Sequence, residues 1–394
     1  MLIILVHAVL LVAAIVLSVL ALVLLIEVAA SLARRRPTPA GKAISSYAVV
    51  IPAHDEVGTI EHTLAAVLEQ IGSLGRVLVV ADNCTDDTAA VSAAAGAEVI
   101  TRLDPHRRGK GYALGFAVRH LAANAPEVVI ILDADCIPEA GTIEHLVAEC
   151  HRLQRPLQAR YDLFPPGRTA GPLARVGAFA WRVKNVVRPM GLANLGLPCL
   201  LMGTGMAFPW SAIVKIELET GHLVEDMVFG LELTAKGLPP LFLPEASVRS
   251  ALPPSVEGQT SQRTRWETGH LRVIAELLPR FFVEAMRRGN AQLFAVALEA
   301  AIPPLAFLVL LLAGTTLASG LIAFAGGPTF AMFTTLGADV AMVLAVTIAW
   351  LTAGRELLSP RELITLPGYV AAKLPLYARA LTGSKIQWVR SKRD

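Results

Sequence analysis

Residues 2–26 are Leu, Val, Ile and Ala almost without interruption, with His7 and Ser18 the only polar positions. A run of about 25 apolar residues exceeds the roughly 20 that cross a hydrocarbon core. The basic cluster Arg34, Arg35 and Arg36 follows the run, whereas a cleaved secretory leader has its basic residues in front and a shorter apolar stretch. An uncleaved transmembrane helix over residues 1–30 is therefore expected. Two further crossings are expected within 293–352, at about 293–318 and 330–351, joined by the uncharged "GLIAFAGGPT". Arg287 and Arg288 precede that pair and Arg355 follows it. Basic flanks favour the cytoplasmic side, which predicts a multi-pass protein of the cell's inner (plasma) membrane, with its amino terminus outside and its middle and carboxyl tail inside. Residues 271–290 and 360–394 mix charges and prolines with apolar residues, which predicts interfacial helices and a cytoplasmic tail. Glu299 and Asp339 fall within the expected crossings.

Mean hydropathy of +0.56 fits a chain that lives partly in lipid. The net charge is only +3, with basic residues gathered beside the apolar segments. That distribution suits membrane lipids and excludes nucleic acid as a partner. Cys84, Cys136, Cys150 and Cys199 stand singly, so neither a zinc-ligand pattern nor a disulfide framework is indicated.

Over residues 46–270 the pattern changes to short apolar runs alternating with amphipathic stretches. "SYAVVIPA", "RVLVVAD", "AEVITR" and "EVVIILDAD" read as strands; "GTIEHTLAAVLEQI", "DDTAAVSAAA" and "GKGYALGFAVRHLAA" read as helices. Wholly apolar strands alternating with helices predict an α/β domain with a parallel sheet covered on both faces. Ligands of such sheets bind beyond the carboxyl ends of the strands, and three of those ends carry polar clusters: "PAHDE", "ADNCTDD" and "DADC".

Asp133 and Asp135 end a buried strand one residue apart and can both offer hard oxygen ligands, which suits Mg²⁺ or Mn²⁺ carried with a diphosphate. A surface turn with two aspartates is the plain alternative. Asp82 can accept from a nucleobase imide or a ribose hydroxyl, or, with Asn83, Asp86 and Asp87, shape a turn and cap a helix. Arg107, Arg108 and Lys110 open a helix, where amide donors already favour anions; the GxxxxGK[ST] spacing of a nucleotide-triphosphate loop is absent. Glu225 and Asp226 open another helix, and a carboxylate pair there can simply answer the helix dipole. Gln262, Arg265 and Trp266 lie just before the interfacial stretch, where Arg265 and Trp266 could equally anchor to the membrane surface.

In order, these segments resemble the membrane-bound glycosyltransferases of family 2, inverting enzymes of GT-A fold, Rossmann-like with a mostly parallel central sheet. The resemblance covers about residues 46–270. "IPAHDE" is similar to the first-strand motif, "ADNCTDDT" to the nucleotide-binding aspartate segment, "GKGYAL" to the helix start and "DADC" to the metal motif. "VED" matches the catalytic-base motif and "QRTRW" the QxxRW signature. Ala81 departs from the first of two aspartates, and Val224 stands where threonine is common.

The resemblance implies that Asp82 contacts uracil or ribose, with Pro52, His54, Glu56 and Lys110 also on the substrate side. Asp133 and Asp135 would hold nucleotide and metal. Asp226 would be the general base, beside Glu225, with Gln262, Arg265 and Trp266 closing over diphosphate and acceptor. Direct displacement needs one base and charge neutralisation at the departing diphosphate, not the flanking acid of a glycosidase. The implied donor is a nucleotide-diphosphate sugar, a UDP-sugar. The implied acceptor is lipid-linked or a saccharide, in exopolysaccharide or envelope assembly, by a homo-oligomer or within a polysaccharide-assembly complex. A glycolipid synthase of the ceramide-glucosyltransferase type, a processive synthase and a catalytically silent scaffold are the alternatives.

Overall fold

The computed structural model describes residues 2–34, 45–165, 171–220, 222–253 and 255–381. Arg35, Arg36 and the expected tail beyond 381 lie outside the described residues.

The central sheet contains β1 (Tyr47–Ala53), β2 (Gly75–Asp82), β3 (Glu98–Arg102), β4 (Val128–Ile131), β5 (Ile137–Pro138), β6 (Leu157–Phe164), β7 (Met206–Pro209) and β8 (Leu241–Ala251). Their spatial order is β3-β2-β1-β4-β7-β6-β8-β5. The β3-β2-β1-β4 half is parallel throughout; β7 then runs antiparallel to both β4 and β6, and β5 antiparallel to β8. Side chains alternate across a strand, so Val49, Ile51, Val79 and Ile130 face a layer containing Leu64, Val67, Ile143 and Leu146. Val50, Leu78, Val80 and Ile131 face Leu114, Ala117, Phe208 and Phe229. Each such buried aliphatic side chain contributes about 1.5–3 kcal/mol relative to exposure. This two-sided core fixes where the strands stop, and their carboxyl ends carry the site.

Among the described residues, three helices are long and apolar enough to cross a membrane: Leu5–Ala30, Leu305–Phe324 and Phe330–Gly354. Small residues at their contacts, among them Ala21, Ala338, Ala341 and Ala345, let the backbones approach, and Thr316 Oγ1 donates to Asp339 across the pair at 2.7 Å. The first helix is also fastened to the α/β domain. Arg188 Nε donates to Glu27 at 2.5 Å with both side chains buried. Gly191 lies so close that a Cβ there would fall 1.8 Å from the Glu27 carbonyl oxygen.

The structure departs from the expected crossing at 293–318. Pro303 and Pro304 lack the N–H groups a helix needs, so the chain makes one helix over Ala291–Ala301 and a second over Leu305–Phe324. The first packs Leu293, Val296 and Ala300 against Met227, Leu231 and Phe281 of the α/β domain. Glu299 therefore lies on a helix that packs on that domain, apart from the apolar helix Leu305–Phe324. Within the stretch 271–290, a π turn at Val273–Leu277 precedes helix Leu278–Arg288, which packs Leu278, Phe281 and Ala285 into this protein contact. Val283 and Met286 remain exposed.

Candidate active site

The ends of β1, β2 and β4 open on one chamber lined by Pro52, His54, Glu56, Asp82, Lys110, Asp133 and Asp135, with Arg265 at its edge. Asp82 is held before any ligand arrives. Arg102 Nη1, from the end of β3, donates to its Oδ1 at 2.6 Å, Asn83 Nδ2 donates to the same oxygen at 3.0 Å, and both members of the ion pair are only 9% exposed. The His54 ring reaches the Asp82 carbonyl from Nδ1 at 2.7 Å. Asp87 caps the following helix without a side-chain bond, and Asp86 Oδ1 accepts from Thr88 N at 3.0 Å; Asp82 lies on the chamber wall. Thr59 Oγ1 donates to Glu56 Oε2 at 2.8 Å.

Asp133 and Asp135 point to a common place. One oxygen of each, with Sγ of Cys136, forms a group whose atoms all lie within 4.8 Å of one another. Burial and the two aspartates push the Cys136 thiol well above its ordinary range, so it stays protonated and donates to Asp135 Oδ1 at 3.5 Å. Two hard carboxylate oxygens this close, turned into a cavity, suit a Mg²⁺ or Mn²⁺ ion. Lys110, at the start of helix Lys110–Leu121, bonds Asp133 Oδ1 and donates to the Gly203 carbonyl at 2.6 Å.

Lys110, Asp133, Arg108 and Arg265 also line a second chamber, so the two are continuous. Asp226 faces it from the first turn of helix Glu225–Ala235, its Oδ1 accepting from Met227 N at 2.8 Å. Burial raises the Asp226 carboxyl above the usual range against the opposing pull of Lys110. Burial together with Asp226 pushes Glu225 up to about 7. Gly203 makes the approach: at φ +88°, it would place a Cβ 3.2 Å from Asp226 Oδ2 and 3.6 Å from Lys110 Nζ. A side chain there would be strained and would crowd Asp226.

Trp266 closes one wall by packing on Trp181, ring centroids 4.5 Å apart. Gln262, one turn earlier in helix Val256–Arg272, does not join them; it is buried outside the chambers, its Oε1 without a hydrogen-bond partner.

The deep end holds residues that the sequence reading missed: Lys184, Asn185, Arg188 and His270, along with Glu299. His270 Nε2 donates to the Ala300 carbonyl at 2.8 Å, and burial with the charge of Lys184 pushes the ring down to about 3, so it is neutral with Nδ1 as acceptor. Glu299 Oε2 accepts from Leu200 N at 3.0 Å, and burial pushes this carboxyl up to about 8. A carboxylate inside an apolar segment was the only signal that could have drawn attention here. Arg102 carried none, since its partner lies 20 residues away on the neighbouring strand.

A model of the family described as glycosyltransferase-like family 2 matches residues 45–269. An uncharacterized glycosyltransferase of Mycobacterium bovis is 41% identical over 110 residues, 28% of this chain and 44% of that protein. A glucosyl-3-phosphoglycerate synthase of Mycobacterium tuberculosis is 38% identical over 104 residues, 25% of this chain and 31% of that protein. The matches thus span less than half the length of these curated relatives. Among solved structures, a mannosyltransferase of Pyrobaculum calidifontis in complex with GDP-Man and Mn²⁺ has a similar fold, with a TM-score of 0.56 at 19% identity over 95% of this chain and 100% of that one.

Proposed function

Because this chain belongs to glycosyltransferase-like family 2, we propose that it is a membrane-anchored, metal-dependent, inverting glycosyltransferase, taking its sugar from a nucleotide-diphosphate donor, a UDP-sugar, and passing it to an acceptor hydroxyl at the cytoplasmic face of the membrane. The observation that carries this reading is the joining of two chambers at Lys110 and Asp133, with the Asp133–Asp135 carboxylates on one side and Asp226 on the other.

The strand-end chamber takes the nucleotide. Asp82, fixed by Arg102, presents an acceptor to the base or ribose without having to reorganise on binding. Asp133 and Asp135 would hold Mg²⁺ or Mn²⁺, which when bound supplies positive charge to the departing diphosphate. Lys110, Arg108 and Arg265 add fixed positive charge at the junction where that negative charge develops. Across the junction Asp226 takes the proton from the acceptor hydroxyl, and its raised pKa makes it a stronger base than an ordinary aspartate. Glu225, partly protonated near neutrality, keeps a second full negative charge from repelling the diphosphate. Trp181 and Trp266 present flat apolar faces to the acceptor and limit water. The similarly folded mannosyltransferase is bound to GDP-Man, which makes a GDP-sugar the second candidate donor.

The test uses the purified full chain in lipid with UDP-glucose, UDP-galactose, UDP-N-acetylglucosamine or GDP-mannose, with Mn²⁺ or with chelator. Nucleotide diphosphate should be released from one donor only when metal is present, and Asp135→Asn should abolish the release. Equal release in chelator would overturn the reading.

A further inference from the structure

Behind the tryptophan pair the second chamber continues into a third. Trp181, Lys184, Arg188, Trp266 and His270 line both. The third is walled by Leu163, Leu252, Ile302, Pro304 and Ala306, ending where the chain enters the crossing helix Leu305–Phe324. It is thus an apolar passage between the catalytic chamber and the level of the bilayer.

Its charges are unequal in their commitments. Glu267 is satisfied by Lys373 and by Tyr377 Oη, the latter at 2.8 Å. Arg188 is taken by Glu27 and by the Glu299 carbonyl. Among the described residues, Lys184 has no hydrogen-bond or ion-pair partner. Nη2 of Arg263, Nδ2 of Asn185 and Nδ1 of His270 are buried without one. Arg263 lies against a wall cut back to glycine: a Cβ on Gly177 would fall 2.2 Å from its Nη2. The unpaired donors of Lys184, Arg263 and Asn185 at the neck of an apolar passage await an anion. An anion that arrives with hydrocarbon attached answers both features at once.

We propose that this passage is a portal for the acceptor and that the acceptor is an amphiphile built in the order hydrocarbon, phosphate, hydroxylated head. The chain lies along the Leu163, Leu252 and Ile302 wall, the phosphate meets Lys184 and Arg263, and the head passes beside the stacked tryptophans, along the neck lined by Lys184 and His270, to Asp226. This deepens the glycosyltransferase reading and rests on it. Asp226 takes the proton of the head hydroxyl, whose oxygen bonds to the anomeric carbon. The bond from that carbon to the diphosphate oxygen breaks, the nucleotide diphosphate leaves with the electron pair, and the lipid phosphate is unchanged. A glycerophospholipid with a polyol head and a polyprenyl-linked phosphoryl sugar share this chemistry.

The experiment places the full chain in phosphatidylcholine nanodiscs with Mn²⁺ and each radiolabelled donor, and adds one lipid at a time. Dioleoylphosphatidylglycerol and polyprenyl-diphosphate N-acetylglucosamine distinguish the two sources. Diolein has the hydroxyl without phosphate, and phosphatidylcholine alone has phosphate without hydroxyl. Label should enter one of the first two lipids, at least about tenfold better than diolein, as loss of a charged hydrogen bond implies. Lys184→Met should raise KM for that lipid about tenfold with a smaller change in kcat, and Lys184→Arg should restore most of it. Equal labelling of diolein, or a KM indifferent to Lys184→Met, overturns the portal. Nucleotide release with no labelled lipid sinks the portal alone; no release in any arm sinks the glycosyltransferase reading with it.

Discussion

The strand-end chamber and the passage behind the tryptophans are built on opposite plans. In the first, Asp82 already has Arg102 and Asp133 already has Lys110. In the second, Lys184 and buried atoms of Asn185, Arg263 and His270 have no partner among the described residues. A paired site is preorganised and loses little on meeting its ligand, whereas an unpaired one is completed by its ligand. The contrast matches a small donor of fixed shape on one side and a larger, variable acceptor on the other.

Asp226, at the meeting point, carries the largest expected effect. Asp226→Asn should lower transfer about 10²–10⁴-fold, while calorimetry finds nucleotide-diphosphate affinity within about twofold of the parent. A full turnover rate would remove Asp226 from the base role. Next comes the paired side. Arg102→Met leaves Asp82 buried without its counter-charge, so urea unfolding should show a loss of about 3–5 kcal/mol. A loss near zero would mean that the strand-end site is not preorganised. Gly203→Ala combines a left-handed backbone with a methyl beside Asp226 and should cost about 1–3 kcal/mol, with transfer falling as well. On the unpaired side the sign should reverse: Lys184→Met removes a partly buried charge that has no partner, so stability should hold or rise by about 1 kcal/mol. Marked destabilisation there would erase the contrast.

Two pH effects complete the series. Asp226 must be ionised to act as a base and its pKa is raised, so kcat/KM should climb with pH over a range above that of a free aspartate. A rise that is complete at the ordinary carboxylate pKa would contradict the burial of this group. The smallest effect concerns Glu299. Its folded pKa of about 8 lies above the ordinary 4.5, so over that interval the folded chain holds a proton that the unfolded chain has lost. Stability should therefore fall as pH rises from about 4.5 to about 8, and melting curves of Glu299→Gln should be flatter across the same window.

Much of the sheet was legible because "AVVI", "VLVV" and "VVII" are buried on both faces and leave no helical period, and each run ends at the polar residues that reach the chamber. The Asp133–Asp135 and Glu225–Asp226 pairs could be read for the same reason: their placement follows from where a regular element stops. The break at Pro303–Pro304 was written in the sequence, but continuous hydropathy on either side hid it, so Glu299 was read as part of one longer helix. Arg102, Lys184 and His270 offered no local signal. Arg102 lies 20 residues from the aspartate it holds, and Lys184 and His270 reach the second chamber from separate helices, brought close only by sheet register and helix packing.

The contact between Glu27 and Arg188 has a practical side. A version trimmed to begin near residue 45 would not simply be the protein minus one apolar helix, because the cut removes the carboxylate that neutralises Arg188 in the wall of the second chamber and exposes the cleft beside Gly191. Such a fragment should be made with Arg188 replaced by a neutral residue of similar length, or left attached to its anchor.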